Sequence, residues 1–332
     1  MAQVTSTGAT TVVSPGSNSA LGGGAGQRDL FLKKFSGEVL ATFNTKTVAK
    51  QLIRTRSVSG QKSAQFPAIG KASAEYHQPG QVILGQTVNH GEVIINIDDL
   101  LISSVFMSNF LEAMRHFETR GEYARQMADS LAQAYDQKVF ATALKAAFDG
   151  ATGPIAEMGA ATKENIGAAP TAATIVDALF AAQQHFDEND VPENDRCAVV
   201  TPAVYYDLVK DGRILNQDYG NGSNGGQARP GMLTVAGLPL IVSNNLAKDW
   251  SQGGADDLDV VRAGAQVTDY DVNASTVKAL VLQKQALGAV HLMDLAVESE
   301  YQIERQGDLT VARMANGMGV LRTECIRAID AV

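Results

Sequence analysis

One stretch constrains this chain more than any other: FETRGEYARQMADSLAQAYDQKVFATALKAAF, from Phe117 to Phe148. Met127, Leu131, Ala134, Lys138, Val139, Leu144 and Phe148 mostly keep the 3 and 4 spacing of one helical face. At 1.5 Å per residue such a helix extends roughly 48 Å. Gly121, Tyr135 and the small alanines interrupt the seam that a coiled coil requires, so the expectation is one long helix laid on a sheet. The chain has 332 residues, room for one large domain or two intermeshed ones. Chains near that length hide about 75% of the surface they expose unfolded, so the core needs neither disulfides nor metal.

Residues 1–28 are Gly, Ser, Thr, Ala and Asn with almost no charge, too little apolar matter to offset ordering, and read as a mobile arm. From Leu30 the pattern becomes LFLKKFSGEVLATF, a short amphipathic segment around Gly37. Residues 46–98 then read as extended chain. An outgoing arm rich in Thr, Ser, Val and Ile is interrupted by Pro67, Pro79-Gly80 gives a turn, and Glu92 to Asp98 return. A lone two-stranded ribbon is marginal in water, so this β-loop needs something beyond itself to lie on. A neighbouring subunit is the natural candidate.

After the long helix, residues 149–170 are turn-rich. A helix follows at about Ala172 to Asp187, then a strand at Arg196 to Thr201, a helix at Pro202 to Lys210, a glycine-rich loop at 216–232 and two short strands around Gly237. Residues 172–285 thus read as α/β. The tail from Ala289 reads as strand after strand, with Val297, Ser299, Tyr301 and Ile303 alternating against Glu298, Glu300, Gln302 and Glu304, the pattern of antiparallel sheet with one polar face.

Net charge is −9, opposite in sign to what counterion-release binding to phosphates demands, so an acidic container wall fits better than a nucleic-acid grip. No secretory signal and no span of roughly 20 apolar residues is visible, which predicts a soluble cytoplasmic product and no membrane contact. Cys197 and Cys325 lie in apolar runs without metal or disulfide spacing and are expected to be reduced and partly buried. SVSGQKS at 57–63 and GGGAG at 22–26 lack the strand-loop-helix setting of phosphate or dinucleotide sites. The five histidines show no zinc spacing, and Asp98-Asp99 and Asp256-Asp257 read as turn carboxylates. With no exposed-serine elbow either, no catalytic residue, metal site or cofactor is predicted.

The order of parts now becomes specific. LFLKKFSGEVL at 30–40, RSVSGQKSAQFP at 56–67, IDDLL at 97–101, HFETRGEYARQMADSLAQAYD at 116–136, DVPENDRCAVVTPAVY at 190–205, VAGLPLIVSNNL at 235–246 and VHLMDLAVESEYQIERQGDLTVARMANGMGVLRTE at 290–324 together resemble one family. It is the major capsid proteins of autographiviruses, relatives of coliphage T-seven, within the Johnson fold of tailed-phage and herpesvirus shells. The resemblance covers about residues 30–332. One departure is Gln61, which separates Gly60 from Lys62 where relatives read Gly-Lys-Ser-Ala-Gln-Phe-Pro.

The resemblance implies an α+β fold with an N-terminal arm at 1–50, an extended β-loop at 51–98, a peripheral domain from 99–171 and 286–332 around the spine helix 117–148, and an inserted α/β axial domain at 172–285. It implies a non-enzymatic subunit forming pentamers and hexamers of an icosahedral T=7 phage head, built in the host cytoplasm with a scaffolding protein and a portal protein. The head encloses double-stranded DNA without sequence-specific binding. The subunit-interface candidates are Phe31, Phe35, Lys62, Phe66, Ile69 and Tyr76. Closure is expected to be non-covalent, and deletion of residues 60–92 is expected to leave a folded, unassembled protein. The competing expectation is an encapsulin-like bacterial compartment shell, which shares the fold.

Overall fold

The computed structural model describes residues 25–83, 85–108, 120–155, 158–210, 234–256, 258, 261–262, 265–266 and 268–332. Residues 1–24 of the arm expected over 1–28, the helix start at 117–119 and the glycine-rich loop at 216–232 lie outside them. The chain forms two compact units. One draws on residues 1–46, 101–132 and 294–314, the other on 47–100, 133–293 and 315–332.

In the first unit, helix α1 spans Ala25–Lys46, longer than the short segment expected and taking in the last residues of the supposed mobile arm. Phe35, Val39 and Phe43 recur every fourth residue and are all buried, which gives this helix its apolar stripe. Helix α2, Arg120–Phe148, begins in the same unit, where its Arg125 lies 3.7 Å from Glu38 of α1. Gly121, which breaks the heptad seam, makes room there: a Cβ at this position would stand 3.3 Å from the Glu38 carboxylate. Strand β4 (Leu101–Ser108) pairs antiparallel with β13 (Gly307–Val320) from Leu101↔Met314 to Ser108↔Gly307. Beside β13 runs β12, Leu287–Gln302, one continuous strand where two were expected. The turn joining them puts Gln306 in the left-handed region (φ 51°), and the Gln306 side-chain amide donates to the Ile303 carbonyl at 2.8 Å.

The second unit holds a six-stranded sheet of order β5-β14-β11-β6-β8-β7. Its strands are β5 (Thr162–Asn165), β6 (Arg196–Val200), β7 (Thr234–Val235), β8 (Leu238–Val242), β11 (Val277–Gln283) and β14 (Ile326–Asp330), while β9 (Val261–Arg262) and β10 (Ala265–Gln266) form a separate antiparallel pair. The antiparallel sheet expected of the tail is corrected at β14, which pairs antiparallel with β11 but parallel with β5; β6 and β8 pair in parallel within the α/β region. Helices α3 (Ala172–Glu188) and α4 (Pro202–Lys210) belong to this unit. A capping box opens α3: Thr171 accepts from the Thr174 backbone while Thr174 Oγ1 accepts from the Thr171 backbone.

The rest of α2 departs from a one-faced reading. Every residue from Tyr135 to Leu144 is buried, including Asp136, Gln137, Lys138 and Thr142. A helix enclosed all round must find partners for its polar groups, because an unmatched buried charge costs several kcal/mol.

The base of the β-loop lies in this unit too. Strand β1 (Arg54–Ser57) pairs parallel with β12 from Arg54↔Gly288 to Ser57↔His291. Strands β2 (Ser63–Ile69) and β3 (His90–Asn96) form an antiparallel pair from Ser63↔Asn96 to Ile69↔His90. Gln61 is exposed in the turn before β2, next to Gly60 at φ 73°, and so lies outside the ladder that starts at Ser63. Alternate residues Ala64, Phe66, Ile95 and Ile97 form one core cluster with Val290, Ala315 and Leu321. This corrects the expected deletion of 60–92, which would tear Ala64 and Phe66 out of that core.

Gly317 and Gly319 of β13 are what let the loop base approach so closely. A Cβ on Gly317 would fall 1.9 Å from the Asn96 carbonyl oxygen, and one on Gly319 would fall 2.6 Å from Ile95. Gly317→Ala is therefore expected to lower stability by about 3 kcal/mol or more, as backbone must move to admit the methyl group. Urea denaturation of the soluble variant would show it as an earlier midpoint, and an unchanged midpoint would contradict the close approach.

Candidate assembly surface

Beyond Ile69 the two arms of the loop leave the ladder. Gly70 donates to Asn89 at 2.8 Å, and Ser73 Oγ bonds Gln86 Oε1 at 2.7 Å, so the arms still run side by side. Pro79 and Gly80 make the turn as expected, with Gly80 at φ 91° and the Gln81 amide donating to Gln78. All described side chains from 71 to 90 are exposed. Among them Val82 and Ile83 are 83% and 76% exposed, and Tyr76 is fully so. Apolar side chains gain about 1.5–3 kcal/mol each when removed from water. A flap carrying three of them on a thin ribbon is a surface in want of a cover.

The six interface candidates separate sharply. Ile69 (71% exposed), Tyr76 and Lys62 reach solvent. Phe66 does not: it sits in the core cluster of its own chain, with the Arg56 guanidinium 5.6 Å from its ring centre. Phe35 is buried in the stripe of α1. The strand alternation of β2 and the helical stripe of α1 turn both phenylalanines inward, so neither is an available anchor. Phe31 belongs to α1, and its side chain lies outside those described. Sequence reasoning missed Val82 and Ile83. Their signal was an apolar pair directly after a Pro-Gly turn, with no alternation to bury either of them.

Two polar arrangements hold the ends of this loop. At its return, Asp98 is buried, and its Oδ2 lies 3.2 Å from Lys138 Nζ and accepts a 2.6 Å bond from the Tyr270 hydroxyl. Its backbone amide donates to Asn316. Asp98 is thus a structural anchor with a buried cation, and Asp99 beside it is exposed. At the loop's start, Asp136 of α2 accepts from the amides of Val48 and Ala49, both at 3.1 Å. Burial pushes the Asp136 carboxyl up to about 6, against the opposing pull of those two amides.

That shift carries a sign. The unfolded carboxyl titrates near 3.8, so between there and about 6 the folded state holds the extra proton. Stability from this group is greatest below that window, falls as pH rises through it and is level above. Replacing Asp136 with Asn should remove roughly 1–3 kcal/mol of that pH dependence. Urea midpoints of both proteins from pH 4 to 7 would test this, with parallel curves as the contrary result.

Cys197 and Cys325 are buried free thiols, and burial pushes both up to about 12, which leaves them protonated and unreactive near neutrality. Among the described residues no helix is long and apolar enough to cross a membrane.

A thin exposed ribbon, a long helix buried over much of its length and mixed sheets make an α+β fold, that of the shell proteins of tailed phages, the Johnson fold. Solved structures agree. The capsid of cyanophage P-SCSP1u superposes with a TM-score of 0.73 at 35% identity, covering 86% of this chain and 88% of that one. The mature capsid of bacteriophage PhiM1 superposes at 0.67 with 18% identity, over 86% and 87% of the two chains, a likeness of fold. The family described as Gp10A-like major capsid protein matches residues 65–330, and the chain belongs to it. The major capsid protein of Enterobacteria phage T3 is 32% identical over 327 residues, covering 90% of this chain and 91% of its own. That of Escherichia phage T7 is 30% identical over 317 residues, with the same two shares. The protein is a phage major capsid protein, a component of the virion shell.

Proposed function

We propose that the protein closes its shell by laying the 70–89 flap of each subunit across a neighbour. The flap's apolar, solvent-exposed side chains carry this reading: Tyr76, Val82 and Ile83 would be covered by a surface outside their own chain. In this reading residues 1–50 act as the N-terminal arm and 51–98 as the extended loop. The peripheral domain comprises 99–171 and 286–332, and the axial domain 172–285 meets its copies around pentamer and hexamer centres. The shell is assembled with a scaffolding protein, filled through a portal and encloses double-stranded DNA, which a chain of net charge −9 confines without gripping. Each subunit touches several others, so individually weak contacts multiply while errors still dissociate.

The protein acts without catalysis or cofactor, and its joints are non-covalent. Electron microscopy of the chain expressed with a scaffolding protein tests the reading, closed shells being the expected product. Denaturing electrophoresis of those shells should give single chains; a ladder of multimers would contradict non-covalent closure. An encapsulin-like compartment also has this fold, and a virus-like particle from Pyrococcus furiosus superposes at a TM-score of 0.58 with 12% identity. Nuclease-protected DNA inside purified particles separates the two.

A further inference from the structure

Resting on the shell reading above, we propose a second contact between copies: the β12–β13 turn of one subunit docks in a groove at the base of the loop of another. The groove, of about 320 Å³, runs along β2 and the turn after β13. Ile69 is the exposed apolar side chain of its lining, above the core residues Phe66 and Leu321, and Arg54, Lys71 and Arg322 contribute cationic walls, against which Glu324 is the one carboxylate of the lining. Arg322 is held by Glu324 (2.7 Å) and by the Gln285 side chain, so its guanidinium stays fixed in the wall. The Arg54 side chain is exposed and makes no hydrogen bond or ion pair among the described residues. Lys71 pairs with Asp190 at 2.7 Å, but both side chains are more than two-thirds exposed, and such pairs exchange partners cheaply.

The turn offers the opposite set. Ile303 stands 73% exposed at its apex, Glu300 and Glu304 flank it with exposed side chains that have no partner among the described residues, and the exposed Arg305 is a cation beside them. Ordinary turns expose polar residues at the apex, so an isoleucine presented between carboxylates has the form of an anchor with a charged rim. The left-handed Gln306 and its bond back to Ile303 pre-shape that apex, reducing the ordering cost of docking. An apolar plug with two carboxylates and one arginine is net negative and complements the cationic walls in sign. The occupant is a second copy of this chain because the complementary knob is on the chain itself, and a repeating shell presents it at every subunit.

Charge reversal tests the contact in the full-length protein, under conditions where the unaltered chain forms shells. Glu300→Lys with Glu304→Lys, or Arg54→Glu with Lys71→Glu, should each reduce shell yield about tenfold or more at unchanged melting temperature, since like charges then face each other. The four changes together should restore yield to within about threefold of the parent, which only a direct turn-to-groove contact predicts. In assembled shells, Ile303→Cys with Ile69→Cys should give disulfide-linked dimers and larger species on non-reducing gels. Parental yield from the reversed turn, no recovery in the combined variant, or the absence of those linked species would each overturn the proposal. Failure of the unaltered chain to form shells at all would instead sink the reading on which it rests.

Discussion

Replacing residues 72–88 with a short glycine linker should abolish shells altogether and leave a monomer of parental stability. The cut lies outside the β2–β3 ladder and outside the core cluster of Ala64, Phe66, Ile95 and Ile97. What it removes is exposed on every described side chain, so no intrachain burial is lost with it. The cost falls on assembly: Tyr76, Val82 and Ile83 would forfeit about 1.5–3 kcal/mol each at every subunit contact they make. Size-exclusion chromatography with light scattering and a thermal melt would read both halves of this outcome. Normal particles from the shortened chain would end the flap's role, and a large fall in melting temperature would show that it braces its own chain.

Lys138→Met should cost about 3–5 kcal/mol, because it takes away the buried ammonium that faces the Asp98 carboxylate in a dry site. The side chains of Lys138 and Asp98 are 4% and 0% exposed, so solvent cannot take over the lost charge. Asp98 also receives the Tyr270 hydroxyl, which supplies one donor but no charge. Removing both ions by Lys138→Met with Asp98→Asn should recover most of the loss, since a neutral amide can still accept from Tyr270. Chemical denaturation of the three proteins measures the cycle. Equal stability of the single variant and the parent would mean that the pair contributes nothing.

The long helix, the α/β run and the two-armed loop were legible because each has its own period, composition or turn chemistry. Helix α4 and the strands around Gly237 fall where pattern and Pro-Gly punctuation put them. Parallel pairing of β1 with β12 was not legible, since nothing local in RTRS names a partner more than two hundred residues away. Phe66 shows the same limit. It reads as a loop anchor, yet its neighbours Ala315 and Leu321 come from the far end of the chain. Lys138 looked like an odd member of an apolar face until Asp98 and Tyr270 gave it a reason. For the assembly surface, the turn and its exposure could be inferred, while inward and outward residues depended on where the ladder stops.

Each of the two units is stitched from three separated stretches, and both need residues beyond 290. Neither can therefore close before residues beyond 293 have been synthesised, and the separate stretches of each unit must find one another across the rest of the chain. A nascent subunit must wait with its flap and apolar strands uncovered, which favours slow, non-local folding and sensitivity to crowding by its own copies.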